Sequence, residues 1–419
     1  MPFRVSPAFV DGGGLTTGDG QPTIAFRVYF PRLAFLSEES AAMKVSCLQE
    51  NLARGLGVVN RAASRRSTLP VLSNILLATE GGRLRLSATN LEMGITCWIG
   101  AKVEDEGSTT APAATLVDLV NTMPSDKVEM ALAVRTQTLH MVCGSFRSDI
   151  KCIDSQEFPP MPPAPGDDGV TLPVNELREV IAQVAFAAST DDSRPVLTGV
   201  LFEIEDSKLT LAAADGFRLS VRTVGLPADG PARARAIVPA RALIELGRIL
   251  TDGDETVRMS LPTNRGQVVF RGKDIELVSQ LIEGTFPDYQ SIIPRAFNTR
   301  TVLTTAGFLK ACRAADIFAR EAAHSARLRI TPGNELEPGR MVVSATSAET
   351  GSNEAAVDAT VEGVPVEIAF NVRFLVDVLS AVDTPNVVLE TTTAASPGVL
   401  RPVGRDDFLH VVMPMHIGS

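Results

Sequence analysis

The residues able to do chemistry in this chain of 419 amino acids are few and scattered. Its four histidines, His140, His324, His410 and His416, form neither a ligand pair nor a triad pattern. The five cysteines, Cys47, Cys97, Cys143, Cys152 and Cys312, include no C-x-x-C pair and no histidine at metal-ligand spacing. They read as reduced, mostly buried thiols of a cytoplasmic protein. No glycine-rich phosphate loop, H-E-x-x-H or G-x-S-x-G occurs. Asp215-Gly216-Phe217 shares its letters with the kinase D-F-G, but the H-R-D loop and the glycine-rich strand are missing. Asp191-Asp192 could hold a cation, although a solvated loop is the simpler reading. The expectation is a non-enzyme with no metal and no cofactor.

Charge offers the other route to chemistry. The net charge of −10 argues against a protein that works by neutralising phosphates, unless its cations are gathered in one place. The helical patterns gather them. In the first, Leu48, Leu52, Leu56 and Val59 share a face while Arg54, Arg61 and Arg65 fall together on another. Over Pro239–Thr251, Arg241 and Arg248 lie on one stripe, with Glu245 between them, opposite Leu243, Gly247 and Leu250. Over Thr305–Glu321, Lys310, Arg313 and Arg320 align while Phe308, Leu309 and Cys312 face inward. Patterns over 112–122 and 371–381 carry little positive charge. The acidic surplus sits in Glu104-Asp105-Glu106 and Asp252-Gly253-Asp254-Glu255. Any one stripe reads first as a solvated face. Three in an acidic protein suggest a basic lining that holds DNA by its phosphates without reading bases.

The elements that carry these stripes recur roughly every 125–130 residues, a domain-sized period. Thr109-Thr110-Ala111-Pro112-Ala113, Ala236-Ile237-Val238-Pro239-Ala240 and Ile368-Ala369-Phe370-Asn371-Val372 each run from a strand into an amphipathic helix. Pro112 and Pro239 suit a first helical turn, and Asn371 suits a cap. Leu69-Pro70-Val71-Leu72 matches Arg194-Pro195-Val196-Leu197, with a weaker third version at His324–Ile330. Alternation such as Val257-Arg258-Met259-Ser260-Leu261 has the period of half-buried antiparallel strands. Turns at Glu80-Gly81-Gly82 and Glu205-Asp206-Ser207 fall where hairpins need them. The expected fold is α+β: three tandem units of two helices packed on antiparallel sheets, over 43–166, 167–294 and 295–419. Residues 1–42, glycine-rich and without period, read as a disordered tail or as sequence upstream of a start at Met43. No run of some eighteen uncharged apolar residues exists to span a membrane. Aromatic residues are scarce, so Val, Leu, Ile and Ala must fill the cores.

From 43 to 417 the chain resembles the bacterial DNA sliding clamps, the β subunits of DNA polymerase III. The motifs that carry the resemblance are Thr68–Leu77, Ala88-Thr89-Asn90-Leu91-Glu92-Met93 and Ala214-Asp215-Gly216-Phe217-Arg218-Leu219. Glu283–Tyr289, Phe370-Asn371-Val372 and Val411-Val412-Met413-Pro414-Met415 complete the set. The resemblance implies a ring-shaped, head-to-tail homodimer of three-unit protomers encircling duplex DNA. Such a ring is a processivity factor: a loader places it, and it tethers the replicative polymerase and clamp-binding repair proteins. Any polymerase or 3′–5′ exonuclease chemistry belongs to the holoenzyme, in the cytoplasm at the nucleoid. A clamp-like paralogue that binds partners without supporting replication is the alternative.

The resemblance also implies sites. A hydrophobic pocket for partner peptides maps to Leu197, Ala214, Gly216, Phe217, Arg218, Leu219 and Pro287, together with Val411, Val412, Met413, Pro414 and Met415. Methionines suit a site shared by several partners. Phe217 stands where some relatives have histidine, and His416-Ile417-Gly418-Ser419 departs from the usual basic ending. Arg66 matches a loop that touches DNA, Arg194 is its counterpart in the second unit, and Ala114 replaces a basic contact of relatives. Phe308 and Leu309 on one side, and Phe146 and Ile150 on the other, are the expected subunit contacts.

Overall fold

The computed structural model describes residues 41–64, 67–161, 169–226, 233–251, 255–261, 266–335 and 337–416. The expectation for the N-terminal segment therefore lies outside the described residues, save for 41 and 42, which open the first strand, Ala41–Leu48. Six α-helices occur among the described residues: α1 Gln49–Val59, α2 Ala113–Thr122, α3 Val174–Val184, α4 Ala240–Ile249, α5 Thr305–Ala319 and α6 Val372–Ala381. They pack in pairs, α1 on α2, α3 on α4 and α5 on α6.

Local chemistry sets the helix starts. Pro112, Pro173 and Pro239 occupy the cap positions of α2, α3 and α4, one residue ahead of the first helical turn. There the fixed proline φ matches the chain's entry and no N–H is lost. At α6 the side chain of Asn371 does the capping and accepts the Arg373 N–H at 3.0 Å. The strands follow the period-two pattern. Val257 and Met259 are buried beneath α3 and α4, while Thr256 and Arg258 face outward. The hairpin tips at Gly81-Gly82 and Asp206-Ser207 all have φ between 51° and 74°, as a two-residue hairpin turn requires.

The first helix departs from its sequence pattern at both ends. Leu48 is the cap residue of α1 and is exposed, so it does not share the buried face of Leu52, Leu56 and Val59. The helix ends at Val59, which puts Arg61 in the turn that follows. At Gly55 a Cβ would stand 2.8 Å from a Leu86 methyl and 2.9 Å from an Ile99 methyl, so any side chain there would have to push these two aside for α1 to lie this close to the sheet.

Among the described residues three antiparallel sheets result, and two of them run across unit boundaries. Ile275–Gln280, the last strand of the second unit, pairs with Met93–Gly100 of the first. Phe408–Val412 of the third unit pairs in the same way with Arg218–Gly225 of the second. The corresponding strand of the first unit, Phe146–Lys151, ends its five-stranded sheet with one side unpaired. In the third unit, residues 351–358 of the strand Gly351–Gly363 pair on one side only, with Arg340–Ser347. Leu, Val, Ile and Ala make up most of the cores, with fully buried phenylalanines among them, including Phe202 and Phe270, edge to face at 6.4 Å. Each contributes about 1.5–3 kcal/mol by leaving water.

Candidate DNA face and partner pocket

Most of the cations expected on helices stand on the exposed sides of the helical layer. Arg54 is exposed and donates to Asn51 at 3.1 Å. Arg241, Lys310 and Arg320 are exposed, the last as the cap residue of α5. Arg313 is exposed and reaches Ser380 at 3.4 Å. Glu245 holds both Arg61, at 3.1 Å, and Arg248, at 2.7 Å. Arg65 and Arg66 lie outside the described residues.

Arg194 belongs elsewhere. It donates to the Asp215 carbonyl at 3.3 Å and faces Asp191 at 3.6 Å. Its guanidinium lies 3.1 Å from where a Cβ of Gly216 would be, and Gly216 has φ +94°. Glycine is needed there for the backbone, while the neighbouring arginine would have to give by only a few tenths of an ångström.

Of the residues expected to form a pocket, Ala214, Leu219 and Val411 gather on one face of the sheet shared by the second and third units. Along Arg218–Gly225 the alternation turns Leu219 and Val221 to this face. They join Leu201, Ala212, Ala214, Ile237, Phe286, Tyr289, Val399 and Val411 in a small apolar cluster separate from the main cores. Phe217, 61 % exposed, and Met413, 40 % exposed, form its lip. The Met413 N–H donates to the Phe217 carbonyl at 2.8 Å. Pro414 and Met415 are fixed by pairing with Phe370 and Ala369. Leu197 is half-buried and Pro287 exposed. A cavity of about 190 Å³ lined by Arg295, Phe297, Glu390 and Arg401 extends from Val399.

Arg218 and Val412 are on the opposite face, a consequence of the same alternation. Val412 is buried in the core of the third unit. Arg218 lies between Phe374, 4.4 Å from its guanidinium, and Phe186, at 5.4 Å. On this face Ser220 bonds His410 at 2.6 Å. Arg222 pairs with Asp407 and meets Glu179 of α3 at 3.7 Å, which Arg405 also binds, at 2.7 Å. One strand thus joins two units on one face and contributes to the apolar cluster on the other. Val196, Phe286, Tyr289 and Val399 were not among the expected pocket residues. Phe286 and Tyr289 stood inside a recognised motif, but Val399 has no signal beyond its place in an alternating strand.

Little here could do covalent chemistry. Burial pushes the Cys47 thiol up to about 12 and raises that of Cys312 too, so neither presents a thiolate. Burial, then the charge of Arg218, drives His410 down to about 3 and keeps its imidazole neutral. Among the described residues no group of His, Cys, Asp and Glu could hold a metal ion, and no helix is long and apolar enough to cross a membrane.

Three copies of one α+β unit joined edge to edge, with exposed cations on the helices and an apolar cluster beside exposed Phe217 and Met413 on the other side of the sheet, define a clamp protomer. Family models match the whole of this region: the DNA polymerase III β subunit N-terminal domain at 43–162, the central domain at 171–288 and the C-terminal domain at 290–416. The β sliding clamp of Synechococcus elongatus is 33% identical over 380 residues, covering 90% of this chain and 100% of that protein. That of Streptomyces coelicolor is 32% identical over 387 residues, with the same coverage. The crystal structure of the sliding clamp from Bacillus subtilis superposes with a TM-score of 0.83 at 26% identity, covering 90% of this chain and 100% of that one. The Pseudomonas aeruginosa clamp gives 0.79 at 29% identity with equal coverage. The chain belongs to the β sliding clamp family, the processivity subunits of DNA polymerase III, and is a non-catalytic subunit.

Proposed function

We propose that two copies of this chain close head to tail around duplex DNA. Partner proteins, among them the replicative polymerase, the clamp loader and repair proteins, dock by peptides in the pocket between the second and third units. One observation carries the ring: the strand seam used twice inside the chain leaves one half of itself open in the first unit, at Phe146–Lys151, and the other in the third, at 351–358. Pairing these halves between copies repeats the same junction and covers both edges.

The helices support the same closure. Counted from the start of the first helix of each unit, Arg61, Phe186 and Ile317 are equivalent. Arg61 crosses the first seam to Glu245, and Phe186 crosses the second to His410, 5.5 Å between rings. Ile317 is 57 % exposed, as a residue reserved for a third seam would be. Its neighbour Phe318 is half-buried. Phe308, by contrast, is wholly buried in its own unit, and Leu309 packs half-buried against the same core, as Phe318 does, so this pair gives way to Ile317 as the subunit contact. Ile150 is buried on the facing strand, and Phe146 is partly exposed.

In such a ring Arg54, Arg61, Arg241, Arg248, Lys310, Arg313 and Arg320 face the DNA. Topology supplies retention, so these contacts can stay weak enough for sliding. The protein would work in the cytoplasm, on the nucleoid. Sedimentation of the purified chain tests closure, with a dimer expected and a monomer at every concentration contradicting it. A fluorescent peptide of the Gln-Leu-x-Leu-Phe type tests the pocket. It should bind, and Met413→Ala should weaken it; no binding, with Met413→Ala indifferent, would favour the paralogue.

A further inference from the structure

The turn at residues 215–218 has two siblings in the same chain. Asp215 Oδ1 accepts the N–H groups of Phe217 and Arg218 at 2.8 and 3.0 Å. Asn90 Oδ1 accepts those of Glu92 and Met93 at 3.1 and 2.8 Å, and Ser347 Oγ those of Glu349 and Thr350 at 3.2 and 3.1 Å. At both internal seams the carbonyl at the tip of the turn takes an N–H from the next unit. Gln280 donates to Glu92 and Met413 to Phe217, each at 2.8 Å. The repeat is therefore an internal control: the same turn and the same seam bond, with different residues.

Two features set the pocket copy apart. Its tip is the exposed aromatic Phe217, where the siblings have Glu92 and Glu349. Its fourth residue is charged, Arg218, where the siblings have Met93 and Thr350. All three guanidinium nitrogens of Arg218 are engaged. Nε donates to Asp215 Oδ2 at 3.0 Å, Nη1 to Asp377 Oδ2 at 2.6 Å and Nη2 to the Phe186 carbonyl at 2.7 Å. Asp215 is thus held on one oxygen by its own turn and on the other by an arginine anchored outside the turn. Asp377 stands on α6 of the third unit, on the side of the sheet away from the pocket.

We propose that Asp377 is a positioning residue for the partner pocket, acting through Arg218 and Asp215 on the Phe217 lip and, through the seam bond, on Met413. The inference rests on the reading of the apolar pocket as a peptide site. An exposed aromatic at the tip of a four-residue turn must be ordered before a peptide can pack on it, and ordering it in advance removes that cost from binding. The anchor is directional as well as ionic, which a lysine would not reproduce.

The test compares the full chain with Asp377→Ala and Asp377→Glu by amide hydrogen exchange and by titration with the fluorescent Gln-Leu-x-Leu-Phe-type peptide. Asp377→Ala should weaken the peptide about fivefold to tenfold, a coupling of ordinary size. Exchange at Phe217, Arg218 and Met413 should speed up, while Glu92, Met93 and Gln280 stay as they were. Asp377→Glu should recover most of both effects. Unchanged exchange at 217–218 would overturn the proposal. So would faster exchange shared equally by the sibling turn, since Asp377 would then only stabilise the chain. A wild-type chain that binds no peptide would instead overturn the pocket reading, with the exchange data still judging the role of Asp377.

Discussion

Glu245 holds Arg61 across the boundary between the first and second units at 3.1 Å, and with its other oxygen holds Arg248 at 2.7 Å. One carboxylate thus occupies two of the cations that would face DNA. A clamp that must slide gains from such partial neutralisation, because every engaged phosphate has to be released as the ring moves.

Glu245→Gln should therefore strengthen the grip on DNA. Each further phosphate neutralised steepens the dependence of log affinity on log salt by about 0.9. The loss of the two partly exposed ion pairs should cost no more than about 1 kcal/mol each. The salt dependence of binding to a short linear duplex, where closure cannot hold the ring, is the measurement. A slope equal to wild type, with the dimer intact, would show that Arg61 and Arg248 do not meet phosphate.

Ile317 and Phe308 separate assembly from stability. Ile317→Asp should yield folded monomers in sedimentation, because a charge placed in an apolar seam is unpaired there. Phe308→Ala should leave association intact but lower unfolding stability by about 3–5 kcal/mol, the range for a fully buried phenylalanine. The reverse pattern would return the subunit contact to Phe308 and Leu309.

His410 should make the seam between the second and third units sensitive to acid. Its folded value, about 3, lies below the ordinary 6.5, so the unfolded chain binds this proton first as the pH falls. The contribution is complete above about pH 6.5 and is lost downward toward pH 3, at up to about 1.4 kcal/mol per pH unit. Denaturation midpoints at pH 7, 6 and 5 should fall more steeply for wild type than for His410→Gln. Parallel slopes would mean that His410 is protonated in the folded chain.

Much of this architecture was legible in the sequence, for local reasons. The recurrence of Leu69-Pro70-Val71 and Arg194-Pro195-Val196, the helix starts marked by Pro112, Pro239 and Asn371, and the period-two strands all report short-range physics. The seams did not show, because the pairing of Ile275–Gln280 with Met93–Gly100 is fixed by contacts between distant segments. The end of α1 was hidden because no glycine or proline marks it, and Arg61 continues the helical spacing past Val59. Arg218 and Val412 were grouped with the pocket because a motif gives residues in order but not the face each takes. Alternation then sends Leu219 and Val411 to the pocket, and Arg218 and Val412 away from it.

Topological retention is the central claim, and a circle of DNA that can be opened at will tests it most directly. The chain is loaded by a clamp loader on a nicked circular plasmid at moderate salt, passed through a sizing column, and assayed before and after a single restriction cut. The protein should stay with the circle and leave once it is linearised, with Ile317→Asp failing to stay on either. Equal retention on circular and linear DNA would contradict this, since the chain would then be held by its contacts rather than by closure.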